Sequence, residues 1–224
     1  LLGVHSRCRL HTRAVTNFVT AIRGFRHFVA SMPAPAEQAR SLIEQAEALG
    51  EPPEDPLLLF SVLYAFWVAN SVAFDGDASR DLAAQFLALA EKQRTTAPLM
   101  IGHRIMENSL MVTGDITESR GHLDQAIALY EPAEHRALAA RFGQEIAVAI
   151  LSYRSWALWL LGYPEAALRD ADDALKNARE IGQAATLMQA LTHASIPYTP
   201  CGNRAAAAAQ AQELACRARA AAAA

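Results

Sequence analysis

The chain is short of the residues that build disulfide-stapled, all-β or nucleic-acid-binding proteins. Cys8, Cys201 and Cys216 are odd in number and form no CxxC pair, so neither a disulfide framework nor a zinc site is expected, and a reducing, cytoplasmic setting fits. Aromatic residues make up 7% of the 224 positions. With Val, Ile and Thr also thinly spread, strands for a sandwich or barrel are lacking. No charge is in large surplus: 20 Lys and Arg against 23 Asp and Glu leave a net charge of −3, which argues against a general nucleic-acid partner. Phosphate-cradling Gly-x-x-x-x-Gly-Lys-Ser/Thr strings are missing too. Ser152, Ser155 and His193 stand in no nucleophile context, so no catalytic residue and no cofactor is expected.

What the chain has instead is alanine and helix punctuation. Apolar residues reach 52%, grouped in blocks at helical spacing and separated by Gly, Asp, Asn and Pro. The blocks predict helices near 36–49, 56–74, 78–94, 97–112, 116–130, 137–161, 164–181, 183–198 and 204–218. No block alternates with a period of two. The expected fold is therefore all-α, and an internal comparison favours a solenoid of helix pairs over a bundle. Four turns share a pattern at Gly76, Gly114, Gly162 and Gly202, spaced 38, 48 and 40 residues apart. Five residues after each Gly come Asp81, Ser119, Ala167 and Ala207; twelve after come Ala88, Ala126, Ala174 and Leu214. Mostly small residues thus recur where paired helices approach closely.

Residues 1–35 hold five arginines and no acid. They formally resemble an organellar transit peptide, but without a cleavage pattern or an initiating Met they read as a ragged basic segment, of a fragment or a misjudged start, running into a first amphipathic helix with Ile22, Phe25, Phe28 and Val29 at helical spacing. The organisation expected is this segment, a repeat domain over 36–203, and an Ala-rich, partly frayed helix over 204–224, where alanine favours helix but buries little.

The string Trp159-Leu160-Leu161-Gly162-Tyr163-Pro164-Glu165-Ala166-Ala167-Leu168, followed by Ala174-Leu175, resembles a tetratricopeptide repeat. Gly114-Asp115 with Ala126-Ile127 is a weaker copy. The usual 34-residue period is not kept, and no Pro closes the second helix, so the array is a divergent one of longer units. A narrower resemblance lies in Ala126-Ile127-Ala128-Leu129-Tyr130-Glu131-Pro132-Ala133-Glu134-His135-Arg136 together with Arg141-Phe142-Gly143-Gln144-Glu145 and Ser152–Pro164. It is similar to the C-terminal repeat region of large bacterial proteins that place a class III adenylate/guanylate cyclase domain before a predicted signalling ATPase. The resemblance covers roughly residues 50–203. It implies that catalysis belongs to upstream domains and that this region is regulatory, with those domains or another protein as partner. A small-molecule-sensing helical domain is the alternative.

Three constellations have an ordinary structural reading beside a chemical one. His103 and Glu107, at i and i+4, would need a third ligand to hold a metal, so no metal site is expected. Asp170, Asp172 and Asp173 scatter around a helix and read as a solvated face, with Arg169 and Lys176 placed for i, i+4 pairs. Leu57–Phe74 is an 18-residue run without charge, but its flanks are acidic on both sides and carry no anchoring Lys or Arg, so it reads as a buried repeat helix rather than a membrane span. For partner contact the candidates are polar residues on apolar helices: Arg104, Asn108, Tyr153 and Arg154, with Arg141 and Gln144 near the connector. The competing reading is that they hydrogen-bond within the array.

Overall fold

The computed structural model describes residues 57–222, and every regular element among them is helical. The chain divides into two units between Asp75 and Gly76. The first unit contributes α1 (Leu58–Val72). The second contains α2 (Gly76–Gln93), α3 (Thr96–Thr113), α4 (Ile116–Ala128), the short α5 (Pro132–His135) and α6 (Ala139–Phe142), then α7 (Ile146–Leu160), α8 (Pro164–Ile181), α9 (Ala184–Tyr198) and α10 (Arg204–Ala222). The expected helix at 36–49 and the basic segment lie outside the described residues.

Helix α1 is 15 residues long, about 22 Å at 1.5 Å per residue. No helix among the described residues is long and apolar enough to cross a membrane. The uncharged run outlasts the helix because Phe74 takes a left-handed backbone, φ 60°, and closes it. Ser61 and Asn70 donate back to the carbonyls of Leu57 and Phe66, which satisfies the two polar side chains locally.

In the second unit α3 packs on α4, α7 on α8 and α9 on α10, and α2 and α8 each pack on the helix that follows. Contacts also run from α3 to α7 and from α7 to α9, so the first helices of successive pairs meet. Helix α8 shows why the alanines matter. Ala167, Ala171, Ala174 and Ala178 recur at three- and four-residue steps and are all buried. Small side chains on that stripe let α8 approach Val148 and Leu151 of α7 and Leu187, Ala190 and Leu191 of α9. Gly102 marks a close approach of α3 to α2. A Cβ there would stand 2.9 Å from Leu87 Cδ1 and 3.2 Å from Leu87 Cα. Gly102→Ala is therefore expected to push α2 and α3 apart and cost about 1–3 kcal/mol by overpacking, read as a lower urea midpoint.

The turns correct the register of the repeat. Gly114, Gly162 and Gly202 have φ of 93°, 85° and 80°. In each turn the following amide bonds a carbonyl five residues back: Asp115 to Leu110, Tyr163 to Leu158, Asn203 to Tyr198. That is the left-handed helix closure which glycine accommodates without strain. At the first turn the same bond runs from Asp75 to Asn70, and the left-handed residue is Phe74. Gly76 instead opens α2. The equivalent positions are therefore Phe74, Gly114, Gly162 and Gly202, at intervals of 40, 48 and 40 residues. Counting from Phe74 replaces the exposed Asp81 and Ala88 with the buried Ser79 and Phe86. Every second helix then places a small residue at the first of the two positions.

The longer interval holds the connector. The single helix expected over 137–161 is two, because Gly143 adopts φ 79° and ends α6, while Glu145 is extended and accepts the Val148 amide at 2.8 Å as the cap of α7. At the far end α10 runs to Ala222, four residues beyond the expected 218. Alanine's helix propensity suits these last turns.

Candidate functional site

The first helices of the second unit carry few charges. Across α3, α7 and α9 the Asp, Glu, Lys and Arg residues are Arg104, Glu107 and Arg154. Each is turned to an internal partner. Arg104 is 2% exposed and Glu107 0%, and Arg104 Nη1 donates to Glu107 Oε1 at 3.2 Å. Burial pushes the Glu107 carboxyl up to about 8 despite the guanidinium and Ser119 beside it. Arg154 donates from Nε and Nη2 to both oxygens of Asp170, at 2.6 and 3.0 Å, and from Nη1 to Asp124 at 3.3 Å. It thus ties α7 to α8 and to α4.

What remains between these pairs is aromatic. The Arg104 guanidinium lies 4.4 Å from the centre of the Tyr153 ring. Tyr153 meets His193 edge-on at 4.6 Å, and His193 stacks on Trp156 at 4.4 Å with 19° between the planes. Backbone bonds fix the rings: Trp156 Nε1 donates to the His193 carbonyl at 2.8 Å, and His193 Nδ1 bonds the Gln189 carbonyl at 2.9 Å. Tyr153, Trp156 and His193 are half-buried. A row of side chains therefore crosses α3, α7 and α9 in order.

Of the residues expected at a partner surface, the structure brings Arg104 and Tyr153 together, with Arg104 beneath the ring rather than at the surface. Arg154 is spent on Asp170 and Asp124. Asn108 is half-buried on α3, Arg141 is exposed on α6, and Gln144 is half-buried just before α7. Trp156 and His193 were not among the candidates. The usable signal was Tyr153 and Trp156 at i, i+3 on a helix with one charged residue.

The connector explains its unusual sequence. The Tyr130 hydroxyl donates to Glu145 Oε1, the Glu131 amide donates to His135 Nδ1 at 2.9 Å, and the Glu145 amide donates to Thr186 Oγ1 at 2.9 Å. Tyr130 and His135 thus anchor the loop, and Glu145 links it to α7 and α9. The acid cluster is corrected in part. Asp170 is buried against Arg154, and Asp172 accepts the Tyr198 hydroxyl, so two of its three members hold helices together. His103 and Glu107 do not act as a pair: Glu107 meets Arg104, while His103 Nδ1 contacts His122 Nδ1 on α4 at 2.8 Å. Among the described residues no three His, Cys, Asp or Glu side chains are grouped to hold a metal.

Burial holds His193 down at about 4, with the Arg104 charge adding to the effect and the Gln189 carbonyl opposing it. An unfolded histidine takes a proton near pH 6.5, so below that the unfolded state binds more protons than the native one. The His193 contribution to stability is therefore expected to fall as pH drops from 6.5 toward 4, by an amount on the order of 1 kcal/mol for a half-buried ring. His193→Phe keeps the stack on Trp156 and should flatten this limb of a melting-temperature profile.

Neither a protein-family model nor a curated protein matches the sequence. Among solved structures, the crystal structure of BtubC (BKLC) from P. vanneervenii is similar, with a TM-score of 0.56 and 13% identity over 93% of this chain and 91% of that one. At that identity the likeness is one of fold alone. The fold is all-α.

Proposed function

We propose that this chain is a non-catalytic helical repeat region that binds a protein segment, a neighbouring domain of its own longer chain or a separate partner, across the first helices of its pairs. One observation carries the reading: all three charged residues of α3, α7 and α9 are engaged internally, while Tyr153, Trp156 and His193 form a fixed, half-buried row across α7 and α9. Rigid aromatic rings give large contact area at little entropic cost, and an uncharged row suits an apolar or aromatic stretch of a partner. In helix-pair arrays the first helices line a continuous face, which gives the row room to extend. The resemblance to the repeat region of cyclase–ATPase signalling proteins supports an intramolecular partner.

The test is selection of a random-peptide display library on the purified chain. Enriched peptides should lose at least tenfold in affinity for Trp156→Phe and for Tyr153→Ala while both variants keep their helical circular dichroism. Peptides that bind both variants as tightly as the parent would overturn the reading. So would ATP hydrolysis or cyclic-nucleotide formation by the purified chain above a buffer control.

A further inference from the structure

The His103–His122 contact is left unexplained by the proposed binding face. These imidazoles come from two different helices, α3 and α4, and both are half-buried, so helix packing holds the rings while leaving part of each open to solvent. Their Nδ1 atoms are 2.8 Å apart, with ring centres at 5.1 Å and planes inclined by 43°. Without a metal this is an N–H···N hydrogen bond, in which one ring donates and the other accepts.

We propose that His103 and His122 form a two-imidazole binding site for a divalent transition metal of the copper or nickel type. Two nitrogen donors about 2.0 Å from one metal, at right angles to each other, stand about 2.8 Å apart. The observed separation meets the spacing of neighbouring donors in a square-planar or tetragonal centre; the rings now face each other nitrogen to nitrogen, so each must turn by about 45° to aim its lone pair at a common point. A tetrahedral zinc centre would need the nitrogens farther apart and usually four protein ligands. With no third His, Cys, Asp or Glu grouped here among the described residues, water completes the coordination. Such a site binds exchangeably and follows the general preference for Cu(II) over Ni(II) and Zn(II). Glu118 lies one turn before His122 on α4, and its charge acts on that ring, which favours a cation. Proton balance is simple. The donating ring moves its hydrogen from Nδ1 to Nε2 through solvent, so both Nδ1 lone pairs face the metal and no net proton is released.

The experiment uses the full chain carrying His5→Ala, His11→Ala and His27→Ala, so that histidines near the N-terminus do not contribute. Titration with Cu(II) at pH 7.5 against a weak competing chelator should give one site, with an electron paramagnetic resonance spectrum showing two imidazole nitrogens. His122→Asn keeps a hydrogen-bonding side chain opposite His103, and it should lower the affinity at least tenfold and remove the two-nitrogen spectrum while the helical signal is unchanged. Thermal unfolding gives an independent reading: Cu(II) should raise the melting temperature of the parent and not that of His122→Asn. Copper binding of equal strength and spectrum in His122→Asn would overturn the proposal, as would a parent spectrum with a single nitrogen donor.

Discussion

Replacing Glu107 with alanine should lower the stability of the chain by about 3–5 kcal/mol, the range seen when a buried charge, here the Arg104 guanidinium, loses its partner. Arg104 is almost fully buried and keeps its charge at any ordinary pH, so loss of the carboxyl leaves a guanidinium without the acceptor it donates to at 3.2 Å. The deleted atoms also leave space beside Ser119 on α4, which is itself fully buried. Glu107→Gln retains an acceptor oxygen and the volume, and its cost should be well under half as large. The pH dependence separates the two effects. Native Glu107 holds its proton up to about 8, whereas an unfolded glutamate releases it near 4.5, so between these values the native state binds more protons than the unfolded one. The contribution is full below pH 4.5 and is lost as pH rises through 8. Urea midpoints at pH 5 and pH 9 should therefore differ more in the parent than in Glu107→Gln. A parent and variant with the same pH dependence would show that Glu107 is ionised throughout.

Helices and most boundaries were legible because apolar spacing and Gly, Asp and Pro punctuation act locally. One shifted turn and one missed break show where local reasoning stops. At Gly76 the pattern Gly-Asp looked like the later turns, yet the left-handed position had moved two residues back to Phe74. A bulky residue tolerates φ 60° only when the surrounding turn imposes it, and composition gives no hint of that. The break at Gly143 was hidden for a different reason: Ala139, Ala140 and Phe142 suit a helix, and the capping role of Glu145 depends on its extended backbone. The site was legible in kind only. Polar residues on apolar helices were the candidates, but sequence could not say that Arg104 would meet Glu107 and Tyr153, or that His103 would find His122 nineteen residues away rather than Glu107 four away. Those pairings depend on how α3 meets α4 and α7.

Arg154→Ala should cost about 2–4 kcal/mol, more than any substitution of an exposed arginine, and its effect should spread across three helices. Arg154 is the shared partner of Asp124 on α4 and Asp170 on α8, and the Asp170 side chain is 10% exposed. Two of its bonds reach both oxygens of one carboxylate, the geometry a guanidinium meets and an ammonium does not. Arg154→Lys should therefore recover only part of the loss. The asymmetry between the two acids supplies a further check. Asp124 is nearly half exposed, so Asp124→Ala should cost less than about 1 kcal/mol, whereas Asp170→Ala should approach the cost of Arg154→Ala. A double variant, Arg154→Met with Asp170→Leu, exchanges the buried pair for apolar side chains and should be more stable than Arg154→Ala, because it leaves no buried carboxylate without its partner. Hydrogen exchange on Arg154→Ala should quicken in α4 and α8 together, since the arginine links successive helix pairs; quickening confined to α7 would place its contribution within one helix.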